Sequence, residues 1–144
     1  MRYPFIAGNW KMYKTTAEAR AFAREFKKIY QSSDVKVAIF APFTQLAALA
    51  EEFKGTGICL GAQNVHYERE GAFTGEISVP LLREIGVEYC IVGHSERRQY
   101  FNESDETVNR KAKVLLEAGI TPVICVGENL YQREHNYQDK LVAE

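Results

Sequence analysis

With 144 residues, 46% hydrophobic and 26% charged content, the chain has the composition of one ordinary globular domain long enough to bury a core. A net charge of −1 gives no electrostatic reason to expect nucleic acid or an anionic membrane as partner. No apolar run approaches the roughly 20 residues of a membrane span.

The N-terminal stretch MRYPFIAGNW carries no signal-peptide core or cleavage site. A first strand is expected over Tyr3 to Ala7, ending in Gly8-Asn9-Trp10-Lys11. The helix after it opens on a capping box, Thr15 with Glu18, and Ala19, Phe22, Ala23, Phe26, Ile29 and Tyr30 recur on one face. Ser32-Ser33-Asp34 reads as a turn. Val35 to Ala41 is a buried strand stopped by Pro42, and Phe43 to Phe53 is a helix ended by Gly55-Thr56-Gly57. A third strand spans Ile58 to Ala62. The polar stretch Gln63 to Glu76 follows, and an irregular segment of that length is usually functional when it is well formed.

A short helix over Val79 to Ile85 leads into the run Tyr89-Cys90-Ile91-Val92, too short for a helix and read as a buried strand. Asn102 or Ser104 can cap the next helix, lined by Val108, Ala112, Leu115 and Leu116, with Gly119 just past its end. Thr121 to Val126 is the last strand, and Asn129 to Glu144 reads as helical. Strand runs therefore begin near residues 3, 35, 58, 88 and 121 with helices between, the pattern of βαβ units around a parallel sheet. Apolar throughout, they are expected to be covered on both faces. A barrel and an open doubly wound sheet both satisfy the pattern. Neither a G-x-G-x-x-G fingerprint nor a P-loop is present, which argues against a nucleotide enzyme.

Cys59, Cys90 and Cys125 are an odd, widely spaced set without a Cys-x-x-Cys pair. Buried strand thiols in a reducing, cytoplasmic compartment are expected, with no metal or redox site. Several strands end in polar residues that would share one face: Asn9 and Lys11, Gln63 and Asn64, His94 with Glu96, and Glu128. The carboxyl ends of strands are where ligands bind in α/β folds. Lys11 is either a solvated surface lysine or the positive charge for a phosphate or carboxylate. His94, directly after Gly93, is either a structural histidine or a ligand-facing ring. The backbone N–H groups of the Ser95-Glu96 turn would favour the neutral ring, a hydrogen-bond donor suited to polarising a carbonyl. Glu96 reads equally as a helix-start acid and as the partner of Lys11. Glu128 reads as a first-turn acid of its helix.

Five segments also occur in a distinctive order and spacing: AGNWKM from Ala7, GAQNV from Gly61, GAFTGEIS from Gly71, VGHSERR from Val92 and CVGE from Cys125. Together they resemble the triose-phosphate isomerase family, over essentially the whole chain to Glu128. The resemblance implies a (β/α)8 barrel, with residues 1–144 a single domain covering about strands one to five, and an active site at the carboxyl ends of the strands. The reaction implied is interconversion of dihydroxyacetone phosphate and glyceraldehyde 3-phosphate through an enediolate, in glycolysis and gluconeogenesis, without metal or cofactor.

By the same resemblance Lys11 and Asn9 contact the phosphorylated triose, and His94 is the electrophile that shuttles protons between its oxygens. Glu96 is the acid beside the histidine loop, and Cys125 is a buried strand cysteine. The stretch from Gln63 to Glu76 is similar to the family's dimer loop, which places Gln63, Phe73, Thr74 and Gly75 at a homodimer interface, with Thr74 close to the other subunit's Asn9 and Glu96. A full barrel takes about 250 residues. The family's proton-abstracting glutamate, lid loop and glycine-rich phosphate grip have no match in these 144 residues, so Glu144 is not expected to be the natural end of an active enzyme. HNYQ also stands where the family has a glycine-bearing turn. The competing expectation is a non-catalytic partial barrel that self-associates or complements a C-terminal fragment through open sheet edges.

Overall fold

A computed structural model describes residues 4–31 and 34–143. Of the expected elements, Tyr3, the Ser32-Ser33 turn and Glu144 lie outside the described residues. Five strands alternate with helices: β1 (Phe5–Asn9), α1 (Thr16–Ile29), β2 (Lys36–Ala41), α2 (Phe43–Phe53), β3 (Ile58–Ala62), α3 (Val79–Ile85), β4 (Tyr89–Val92), α4 (Ser95–Phe101), α5 (Asp105–Glu117), β5 (Thr121–Ile124), α6 (Leu130–Glu134) and α7 (Gln138–Ala143). All neighbouring strands are parallel, and the sheet order is β1-β2-β3-β4-β5. Each strand pairs with the one before it and the winding never reverses. A doubly wound sheet has a reversal point and a barrel has none. The molecule is the first five strands of a (β/α) barrel.

Side-chain alternation along the strands separates two layers. On the outer face Ile39, Ala41, Leu60, Ala62, Cys90 and Val92 meet Ala19 and Ala23 of α1, Leu46 and Leu49 of α2, Leu82 of α3 and Leu115 of α5. On the inner face lies a smaller group, Ala38, Phe40, Cys59 and Ile91, with Tyr89, Val123 and Cys125 against it. Gly61 belongs to this inner layer. A Cβ there would stand 2.4 Å from the Phe40 ring, so the ring occupies the space a side chain would take.

Local chemistry accounts for the helix boundaries. Thr15 and Glu18 form the expected capping box, and Ser104, not Asn102, caps α5 in a box with Thr107. Asn102 instead ends α4 in the left-handed region. Gly119 takes φ 75 just past Ala118, the C-cap of α5, as expected.

Other expectations are corrected. The first strand runs on to Asn9 rather than ending at Ala7, because Gly8 and Asn9 continue the ladder opposite Ile39 and Phe40. The last strand ends at Ile124 rather than Val126. Ile29 is 75% exposed and leaves the apolar face of α1. Coverage on both faces holds for β2, β3 and β4 but fails at the sheet margins, where Ile6 is 63% and Ile124 50% exposed. The expected single C-terminal helix is two short ones, broken at Asn136, whose φ of 59 performs the turn a glycine would otherwise make. Glu128 precedes the Asn129 cap of α6 instead of lying in its first turn, and pairs with Arg133 at 3.1 Å.

Candidate active site

The carboxyl ends of β1, β3 and β4 border an open cleft of about 480 Å³, lined by Asn9, Lys11, Gln63, Asn64, His94, Glu96 and Arg97, with Phe43, Ile91 and Phe101 as its apolar walls. The expected polar set thus converges, except for Glu128, which does not line it.

Lys11 follows β1 with φ 52. A non-glycine residue in this region costs about 1–3 kcal/mol and persists only where its surroundings hold it. The Lys11 N–H donates to Asn9 Oδ1 at 3.0 Å, and its carbonyl accepts from Gln63 Nε2 at 2.9 Å. The same Gln63 amide reaches Phe40 O at 3.1 Å and Asn9 Oδ1 at 3.3 Å. One side chain from the end of β3 therefore ties the ends of β1 and β2 to the Lys11 backbone.

The Lys11 ammonium donates to Glu96 Oε1 at 2.7 Å. This bond raises the Lys11 pKa, and in turn holds the Glu96 carboxyl below its usual range. Glu96 is also in the first turn of α4. The two readings of Glu96 are one arrangement: the helix start presents the carboxylate to the lysine.

His94 is the N-cap of α4, and its Nδ1 accepts the Glu96 backbone N–H at 3.2 Å. The Glu96 Oε2 atom is 3.5 Å from the same nitrogen. The shorter, directed contact makes Nδ1 an acceptor, so the proton of the neutral ring belongs on Nε2. An ammonium and an imidazole N–H then share one cleft, suited to an anionic ligand that carries a carbonyl oxygen.

Beneath the His94 loop lies a buried ion pair that sequence reasoning missed. Lys111 bonds Glu103 and, at 2.8 Å, Asn64 Oδ1. Glu103 Oε2 also accepts the Gly93 N–H at 3.2 Å and stands 3.5 Å from Arg97 Nε. Arg98 turns the other way, donating to Gly93 O and Cys125 O. The available signal was Lys111 on the apolar face of α5, three residues from Val108 and four from Leu115. A lysine on a buried stripe needs a partner.

The cysteines are thiols, with burial pushing Cys59 to about 11 and Cys90 to about 12. Cys125 lies just past β5 and is half-buried rather than buried in a strand. Among the described residues no group of three or more His, Cys, Asp or Glu is placed to hold a metal, and no helix is long and apolar enough to cross a membrane.

The model of the triosephosphate isomerase family matches residues 4–144. The chain belongs to this family. It is 53% identical to a triosephosphate isomerase of Synechococcus sp. (strain JA-3-3Ab) and 52% identical to one of Solibacter usitatus (strain Ellin6076), in each case over 99% of the chain and 58% of the relative. A triosephosphate isomerase of Alkaliphilus metalliredigens (strain QYMF) is 54% identical over 93% of the chain and 54% of its own length. The chain thus spans little more than half the length of these curated relatives.

Of the residues that the likeness to triosephosphate isomerase singled out, Asn9, Lys11, His94 and Glu96 come together in the cleft. Gln63 is in the cleft too, bonded within the chain. Phe73, Thr74 and Gly75 stand apart on the exposed loop between β3 and α3. That loop is well formed. His66 N–H bonds Ile77 O across its base at 2.8 Å, the His66 ring contacts Tyr67 and Phe73, and the Glu76 N–H closes a turn onto Phe73 O.

Proposed function

We propose that these residues form the substrate-binding and electrophilic half of a triosephosphate isomerase, interconverting dihydroxyacetone phosphate and glyceraldehyde 3-phosphate. The observation that carries the proposal is the Lys11 ammonium, held on Glu96, in the same cleft as a His94 ring whose Nδ1 accepts the Glu96 N–H. Lys11 and Asn9 bind the anionic substrate. The His94 Nε2–H donates to the carbonyl oxygen as a base removes the adjacent carbon-bound proton. The ring gives that oxygen its proton and recovers one from the neighbouring hydroxyl, so the enediolate is interconverted with no net change in the histidine. Glu96 orients the ammonium and, through its backbone, the ring. No metal or cofactor enters this scheme.

The residue that serves as the base has no match among these 144, and general-base catalysis is commonly worth about 10²–10⁴-fold. We assign the chain alone no turnover comparable to a complete isomerase. A homodimer formed through Gln63, Phe73, Thr74 and Gly75 of the segment after β3, in the cytoplasm, belongs to the same proposal.

The test is a chimera that joins this chain to the remaining C-terminal part of the Synechococcus relative, assayed for triose-phosphate interconversion beside the chain alone. The folded chimera is expected to turn over and to lose about 10²–10⁴-fold in rate with His94→Gln. A folded, inactive chimera would contradict the isomerase reading, and full activity of the chain alone would contradict the half-site reading.

A second reading, a non-catalytic partial barrel that self-associates or complements a C-terminal fragment, is favoured by one observation. Ile6 of β1 and Ile124 of β5 expose apolar surface on strands that each have a single neighbour. Native mass measurement tests it, and a stable monomer that ignores an added C-terminal fragment counts against it.

A further inference from the structure

The segment that presents Lys11, residues 10–15, leaves the body of the molecule. Met12 is 93% and Tyr13 72% exposed, and two of its non-glycine residues, Lys11 and Lys14, hold left-handed backbone at φ 52 and 74. Its near end is fixed by the Trp10 N–H to Phe40 O and by the Gln63 amide, its far end by the Thr15 capping box. Between them, Lys14 is held in two ways. Its ammonium lies 5.3 Å over the Trp10 ring and 5.6 Å over Phe22, and its carbonyl accepts from Gln45 Nε2 at 2.8 Å.

Gln45 is a notable residue for its place. It is 6% exposed on α2, where the other buried positions are Leu46, Ala48, Leu49 and Phe53. An apolar side chain would fill that position without needing partners, whereas a buried amide left unbonded costs about 1–3 kcal/mol. Here both of its ends are engaged: Oε1 accepts the Thr44 hydroxyl at 2.8 Å while Nε2 donates to Lys14 O. Thr44 thereby orients the amide, and the amide fixes the carbonyl of a residue in a left-handed conformation three positions after Lys11.

We propose that Gln45 is a positioning residue for Lys11: by clamping the Lys14 carbonyl to α2 it keeps the strained loop closed and the ammonium on Glu96. The value of this device rests on the reading of Lys11 as the cation that meets an anionic substrate. Gln45 itself touches no ligand site and acts only through the loop backbone.

The test needs no ligand. Gln45→Met keeps the length of the side chain and removes the donor. The titration of the Lys11 amine, followed by ¹⁵N NMR, is expected to move down toward the ordinary lysine range as contact with Glu96 is lost. Glu96 and the nearby Tyr13 hydroxyl are the titratable groups that raise it in the parent chain. Amide order parameters of residues 11–14 are expected to fall from the rigid range of about 0.85 toward values below about 0.6. Thr44→Val, at an exposed position, is expected to shift both readouts in the same direction by less, and it tests the proposal even if Gln45→Met does not fold. A lowered urea midpoint with the Lys11 titration and the 11–14 amides unchanged would assign Gln45 to packing alone and overturn the proposal. Because no substrate is present, a chain that proves unable to bind triose phosphate would sink the functional reading and leave this result intact.

Discussion

Lys11 and Glu96 show how a surface ion pair can matter little for stability and much for the site. Both side chains are about half exposed, so solvent screens their attraction and its contribution to folding is small. Its pH window follows from the directions of the two shifts. Glu96 is depressed, so its contribution is present above the ordinary carboxylate pKa and disappears as pH falls through its lowered folded value. Lys11 is raised, so its contribution is present below the ordinary lysine pKa and disappears as pH rises through its raised folded value. Glu96→Gln is therefore expected to lower the Lys11 amine pKa, as read by ¹⁵N NMR titration, with little change in the urea midpoint; an unmoved titration would contradict the pairing. Gly61 is the opposite case, a residue with no chemistry whose size is critical. Its would-be Cβ collides with the Phe40 ring, itself 1% exposed. Gly61→Ala is expected to cost about 1–3 kcal/mol in urea unfolding, and a neutral outcome would mean that the inner layer has room to move.

At the scale of elements, the region around β4 is held from below by α5. Glu103 and Lys111 are nearly inaccessible and share their bonds with Gly93, Arg97 and Asn64. Removing one charge from a buried pair commonly costs about 3–5 kcal/mol because the survivor stays desolvated. Lys111→Met is expected to lose that much in chemical unfolding. Adding Glu103→Leu should recover only part, since the Gly93 N–H and Asn64 would still lack partners. A double variant restored to parental stability would show that the polar cluster is dispensable to the fold. The sequence was informative about elements with a strong period or cap. The Thr15–Glu18 box, the Ile58 to Ala62 run and the Val79 to Ile85 helix were all readable locally. It was uninformative about α4, because SERRQYF has no apolar stripe and is fixed by tertiary bonds from Arg98 and by the His94 cap. Nor could an apolar run such as Phe5-Ile6 reveal that it borders a sheet, since burial depends on neighbours the run does not encode.

For the whole molecule, the sequential order of five parallel strands is what makes distant residues into one site. Lys11 and Glu96 are 85 positions apart, and they meet because the ends of β1, β3 and β4 open on the same side of the sheet. Spacing alone left barrel and doubly wound sheet both standing, and the strand order decided between them. Much of the cleft was legible because its residues directly follow strands. The supporting residues Gln45, Glu103 and Lys111 were not, because their bonds reach groups well removed along the chain: Gln45 holds the Lys14 carbonyl, Glu103 the Gly93 N–H and Lys111 the Asn64 side chain. The chemistry proposed for the cleft turns on the state of one ring, His94. Long-range ¹H–¹⁵N NMR of His94 at neutral pH reads it directly. The expected result is a neutral ring protonated at Nε2, with Nδ1 an unprotonated acceptor of the Glu96 N–H. A proton on Nδ1, whether in the other neutral tautomer or in a charged ring, would contradict the electrophile that the site is proposed to provide.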